Sequence, residues 1–276
     1  MPLIDVPAAR LHYETYGNGP RLIMIPGASG AADPFRKAAS QLAQRYTVVL
    51  YDRRGFSRST LEGPQDYQHR LDTDADDIAL LIGHLTEHAV TVFGASSGAT
   101  VGLRLLERHP SIIETLVPFE APAVRLLPDG QHWVDFFHSL YDLYRESGMS
   151  TAMQRFRDNA VAPADRAAMA RAVDLDINPR ARANADYWFE HELRQYPAVE
   201  PSIDTLAATS DRIVPAVGAL STGYPARQAT EELAKQLGIP VTVLPGGHVG
   251  CVTHASGFAI ELADAIAQHN VTRTPR

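Results

Sequence analysis

The segment Val90-Thr91-Val92-Phe93-Gly94-Ala95-Ser96-Ser97-Gly98-Ala99-Thr100 sets Gly-x-Ser-x-Gly directly after an apolar, β-branched run and directly before a helical pattern. A serine on so short a strand-to-helix turn has to accept strained backbone geometry, and the flanking glycines let neighbouring chain pass without clash. Its hydroxyl is then lifted over the end of a sheet. A helix N-terminus lies beneath it, where developing negative charge is favoured. The same five letters in an isolated glycine-containing loop would carry little weight.

The rest of the chain supplies that sheet. Short apolar runs recur at Leu22–Pro26, Tyr46–Asp52, Val90–Phe93, Thr115–Phe119, Ile213–Val217 and Val241–Leu244, with helical patterns between them. Such alternation predicts a mostly parallel, twisted α/β sheet covered by helices on both faces. Leu11–Tyr16, followed by the turn Gly17-Asn18-Gly19-Pro20, predicts an antiparallel edge hairpin. Ile78, Leu81, Ile82 and Leu85 keep helical spacing behind Asp72, Asp74, Asp76 and Asp77, where a helix dipole favours negative charge. A second helix is expected from Ser97 to about His109, ending at Pro110. Phe258, Leu262 and Ile266 mark the last one.

Between Phe119 and Ile213 the alternation stops. Residues 121–205 are expected to form a helical cap inserted between the sixth and seventh strands, with 1–120 and 206–276 as the core. Open α/β sheets bind ligands at their carboxyl edge, which such a cap would cover. Trp133, Phe136, Phe137, Leu140 and Tyr144 form one stripe there, and Tyr187, Trp188, Phe189 and Leu193 a second group. Trp133, Phe137, Tyr187 and Trp188 are the candidate pocket residues, although helical stripes more often form core.

Charge narrows the partners. A net charge of −7 without a basic stripe argues against nucleic acid. No run of eighteen apolar residues offers a membrane span, and the first residues lack the pattern of a leader. A single cysteine, Cys251, excludes an intrachain disulfide. The expectation is a cytoplasmic protein acting on a small molecule, with a homodimer left open.

The chain resembles the α/β-hydrolases along nearly its whole length. The resemblance rests on the Ser96 turn, on Ile25-Pro26-Gly27-Ala28-Ser29-Gly30 and on Tyr51-Asp52-Arg53-Arg54-Gly55-Phe56-Ser57-Arg58-Ser59. It implies Ser96 as nucleophile and an oxyanion hole from the backbone N–H groups of Ala28 and Ser97. Relatives often carry His-Gly where this chain has Pro26-Gly27, so that histidine's bracing part is missing. The Asp52–Ser59 arginines are expected to tie loops together. His248, in Val243-Leu244-Pro245-Gly246-Gly247-His248, stands where the family keeps its general base. His248, Cys251 and His254 are spaced as if for metal, but no fourth ligand accompanies them, and no metal is expected.

The acid is harder to find. Asp211 precedes the strand Ile213–Val217, whereas a triad acid should follow one. The usual slot falls near Ser221, 27 residues before His248, and a serine cannot orient an imidazole as a carboxylate does. Glu120, 24 residues after Ser96, ends the preceding strand on the correct edge. It is the assigned acid, with Asp211 as the alternative. Gly-x-Ser-Ser-Gly followed by Glu-x-Pro at this interval is similar to the zearalenone lactonases. Serine and histidine together imply acyl transfer, without a cofactor, on an ester or lactone of a small-to-medium, largely apolar substrate. Carbon–carbon bond hydrolysis, perhydrolysis and a ligand-binding member without chemistry are the competing outcomes.

Overall fold

In the computed structural model, which describes residues 2–172 and 179–273, the apolar runs form strands and the 3.6-residue patterns form helices. The first half contains β1 (Leu3–Val6), β2 (Ala9–Tyr16), β3 (Arg21–Ile25), α1 (Arg36–Leu42), β4 (Thr47–Tyr51), β5 (Thr60–Leu61), α2 (Arg70–Leu85), β6 (Val90–Ala95), α3 (Ser97–Arg108) and β7 (Ile113–Phe119). Helices α4 (Gly130–Ser147), α5 (Met149–Ala160), α6 (Pro163–Ala172), α7 (Pro179–His191) and α8 (Ile203–Ala207) follow. The chain closes with β8 (Ala216–Gly218), α9 (Pro225–Leu237), β9 (Thr242–Leu244), α10 (Gly250–Thr253) and α11 (Ala255–Arg273). No described helix is long and apolar enough to cross a membrane.

The strand order is β1-β2-β4-β3-β6-β7-β8-β9, with β5 added on β2. From β4 to β9 all pairings are parallel, so the carboxyl ends of β3, β6, β7, β8 and β9 share one edge. β6 is buried on both faces along its whole length, as a central parallel strand must be. One core layer packs Ile78, Leu81 and Leu105 from α2 and α3 against the sheet. The other packs Leu42, Phe258 and Leu262 from α1 and α11. Each such side chain, fully buried, contributes roughly 1.5–3 kcal/mol.

Three expectations need correction. The turn at 17–20 does not close a hairpin, because β4 lies between β2 and β3. β2 pairs instead with β1, through the turn at Pro7 and Ala8, and antiparallel with β4. The strand expected over Ile213–Val217 is reduced to Ala216–Gly218, with Ile213 held by an isolated bridge to Leu116. Pro215 and Pro118 lack the N–H that a continuous ladder requires. Finally, the helical stretch lies between β7 and β8 in chain order. The two-residue β5 has no apolar run to announce it, and it adds to the strand count.

Candidate active site

Ser96 follows the last residue of β6 at φ 54°, ψ −123°, a conformation that a non-glycine residue adopts only when its surroundings hold it there. Its N–H donates to the Phe119 carbonyl at 2.9 Å, and its own carbonyl accepts from Ala99 N–H at 2.8 Å, the first bond of α3. The glycines of the motif serve packing. A Cβ on Gly98 would stand 2.2 Å from the Ile25 carbonyl oxygen, and one on Gly94 would stand 2.3 Å from that of Gly98. Only glycine lets α3 sit this close to β3 and β6.

The oxyanion candidates border the same turn. Gly27 approaches so closely that a Cβ there would lie 2.9 Å from the Ala95 carbonyl oxygen. Its carbonyl accepts from Gly30 N–H and from Arg53 Nη2, both at 2.9 Å, which fixes the loop carrying Ala28. Among the described residues neither Ala28 N–H nor Ser97 N–H has a backbone partner.

Glu120 follows β7 as Ser96 follows β6, since Ala95 and Phe119 are register partners. It too has positive φ, at 47°. The side chain is 1% exposed. Glu120 Oε2 lies 2.6 Å from His248 Nδ1, and Oε1 accepts Gly218 N–H at 2.8 Å. Burial pushes the carboxyl pKa up. The His248 bond and charge, with Gly218 N–H and the neighbouring Ser221, outweigh it and hold the group below the usual carboxylate range. Burial likewise acts to lower the imidazole pKa, and Glu120, with Asp165 adding its charge, raises it above its ordinary value.

Asp211 is elsewhere. It sits in the turn before β8, at the opposite edge, and pairs with Arg273 at 3.2 Å. His254 Nδ1 lies 2.9 Å from Thr253 Oγ1, while Cys251 is buried, its thiol pushed up to about 12 by that burial. Among the described residues no three His, Cys, Asp or Glu side chains are arranged to hold a metal ion.

Ser96, Ala28, Ser97 and His248 all border one cavity of about 430 Å³. Its wall is largely apolar and includes Phe137 and Trp188 but neither Trp133 nor Tyr187. Trp133 packs edge-on against Phe136 within α4. Tyr187 lies edge-on to Phe56, and its hydroxyl accepts from Arg70 Nη1 at 2.9 Å. Tyr187 is thus spent on joining elements, and Trp133 on packing within its own helix. Phe35, Met153, Phe156 and Asn184 also line the cavity, and nothing in their sequence spacing sets them apart from ordinary core.

The arginines of the 52–59 loop do tie elements together. Arg53 reaches Asp74 at 2.8 Å and Glu192 at 2.7 Å, and Arg70 joins Glu192 at 2.9 Å, all four side chains being buried. Arg54 holds Asp77 at 2.6 Å, and Arg58 holds Asp52 at 2.6 Å.

A parallel sheet whose carboxyl edge carries a strained serine turn and a carboxylate-bound histidine defines a class, and the family model described as alpha/beta hydrolase fold matches residues 20–168. The chain belongs to the α/β-hydrolase family. It is 31% identical over 267 residues to "Uncharacterized hydrolase YraK" of Bacillus subtilis, covering 95% of this chain and 94% of that one. It is 26% identical over 262 residues to a zearalenone hydrolase of Bionectria ochroleuca, with 94% of each chain covered. Among solved structures, the enol-lactonase from Burkholderia xenovorans superposes with a TM-score of 0.65 at 20% identity, over 96% of this chain and all of that one.

Proposed function

We propose that this hydrolase cleaves a carboxylic ester or lactone through an acyl-enzyme on Ser96. The observation that carries the reading is the 2.6 Å contact of Glu120 with His248 Nδ1, beside a cavity that also exposes Ser96. With Nδ1–H donated to the carboxylate, the other ring nitrogen, Nε2, is the lone-pair acceptor. It takes the Ser96 proton as Oγ attacks the substrate carbonyl. The carbonyl oxygen becomes an oxyanion, bound by the Ala28 and Ser97 N–H groups. Collapse breaks the C–O bond, and the imidazolium returns its proton to the departing alkoxide. Water, deprotonated by the same nitrogen, then releases the acid and frees Ser96.

The cavity is within the range of about 300–1,000 Å³ that encloses drug-sized ligands. Its apolar wall suits an uncharged, medium-sized substrate. A lactone suits it well, since ring opening yields a single hydroxy-acid and leaves no second fragment to expel. The names of the fungal relative and of the enol-lactonase point the same way.

The test is a fluorophosphonate probe followed by peptide mapping, with a panel of esters, lactones and diketones. Stoichiometric labelling at Ser96, abolished by Ser96→Ala, with turnover of esters or lactones is expected. Silence at Ser96 would favour a ligand-binding protein, and turnover confined to diketones would favour carbon–carbon cleavage.

A further inference from the structure

Asp165 is a carboxylate for which the hydrolytic steps have no use, yet it is 1% exposed and its target is unusual. It lies in the first turn of α6, and its Oδ2 accepts the backbone N–H of His248 at 2.6 Å. The adjacent Val249 N–H also acts on this carboxylate. The loop is shaped around the contact, because a Cβ on Gly247 would stand 2.1 Å from Asp165 Oδ2 and 2.8 Å from its Cγ. A larger residue at Gly247 would therefore displace the Asp165 carboxylate. Arg166, the next residue, donates to the Val161 and Asp158 carbonyls at 3.1 and 2.7 Å, which fixes the start of α6 relative to α5.

His248 is thus held at two points. Glu120, from the end of β7, holds the ring. Asp165, from the helices between β7 and β8, holds the main chain. Its loop contains Gly246 at φ 85°, so the loop's own conformational preferences do little to fix it. A charge-assisted hydrogen bond in a partly buried site is the stronger kind, and its loss leaves the His248 N–H without this acceptor.

We propose that Asp165 is a positioning residue, which keeps the His248 main chain in register with Ser96 only while α6 is docked against α10 and the loop before it. The seating of the helical insert and the readiness of the base then become one event. This rests on the reading of His248 as the general base.

The test uses full-length Asp165→Ala and Asp165→Asn, with p-nitrophenyl acetate as a substrate too small to need the cavity wall. Amide exchange over residues 246–250 is measured alongside kcat, KM and Tm. Asp165→Ala should quicken exchange at His248 about tenfold or more and lower kcat about 30-fold, with KM within about twofold. Asp165→Asn keeps an acceptor for the His248 N–H and should restore kcat to within about fivefold of the parent. Unchanged exchange or unchanged kcat in Asp165→Ala overturns the proposal. So does an equal loss of kcat and Tm in both variants, which would mark a merely structural carboxylate. If Ser96 of the parent never labels while Asp165→Ala still loosens His248, the brace stands and the hydrolase reading falls.

Discussion

At the scale of single residues the proposed mechanism depends on one carboxylate reached by one imidazole. Glu120→Gln keeps the shape of the side chain, but its amide cannot stabilise the imidazolium and can present the wrong group to Nδ1. Turnover should fall about 10³–10⁴-fold with Tm little changed, measured on any ester the parent accepts. The pH profile follows from the same contact. His248 must be neutral to act as base, and Glu120 raises its pKa above the ordinary value of about 6.5. The acid limb of kcat/KM should therefore have its midpoint above that value, activity failing as pH falls through it. In Glu120→Gln the midpoint should move down, and a fixed midpoint would disconnect the pair from the rate. Ser221 sharpens the assignment. It is buried beside Glu120, its hydroxyl without a partner of hydrogen-bonding geometry, so it counts as a polar neighbour and not a bonded one. In the Glu120→Ala background, adding Ser221→Asp should recover at least about tenfold in kcat, because a carboxylate would again stand on this edge. No recovery would mean that the β8 loop cannot deliver an acid to Nδ1.

At the scale of elements, the sequence was most legible where backbone chemistry is local. The Ser96 turn and α3 ending before Pro110 follow from nearest-neighbour preferences, whereas of the aspartates expected at the start of α2 only Asp72 lies in its first turn, Asp74 and Asp77 being paired with Arg53 and Arg54. The place of Glu120 beside His248 was legible because strand ends in a parallel sheet share an edge, a rule that needs only the strand order. β8 was misjudged because Pro215 breaks a ladder whose partner strand lies about a hundred residues away. The contact of Asp165 with His248 was invisible for the same reason, since it joins positions 165 and 248 through space alone. The buried group of Arg53, Arg70, Asp74 and Glu192 is another such contact. It links the 52–59 loop and α2 to the residue after α7. The two positive and two negative charges balance, so removing one leaves a buried charge unpaired. Glu192→Ala should cost about 3–5 kcal/mol in urea unfolding. Because Arg53 also holds the Gly27 carbonyl, kcat should fall as well; an unfolding midpoint within error of the parent would show the network to be inert.

At the scale of the whole molecule, the proposed function rests on bringing strand ends and inserted helices against one cavity. That wall is the part least readable in advance. Core and cavity lining are both apolar, and helical spacing tells which side chains face inward without telling whether anything fills the space beyond. Phe137 and Trp188 face the void, whereas Trp133, from the same stripe as Phe137, packs along its own helix and Tyr187 faces Phe56. The wall also gives a way to separate substrate fit from chemistry. Ala185 on α7 borders the cavity and belongs to the apolar cluster of the helical insert. Ala185→Phe would place a ring in that space while leaving Ser96, Glu120, His248 and both oxyanion donors themselves unchanged. For a bulky lactone or ester, kcat/KM should drop about tenfold or more, through a methylene-scale penalty repeated over several atoms. For p-nitrophenyl acetate it should stay within about threefold, since that ester reaches Ser96 without occupying the far wall. A parallel loss on both substrates, at unchanged Tm, would mean that the cavity edge governs the catalytic groups themselves and not the choice of substrate.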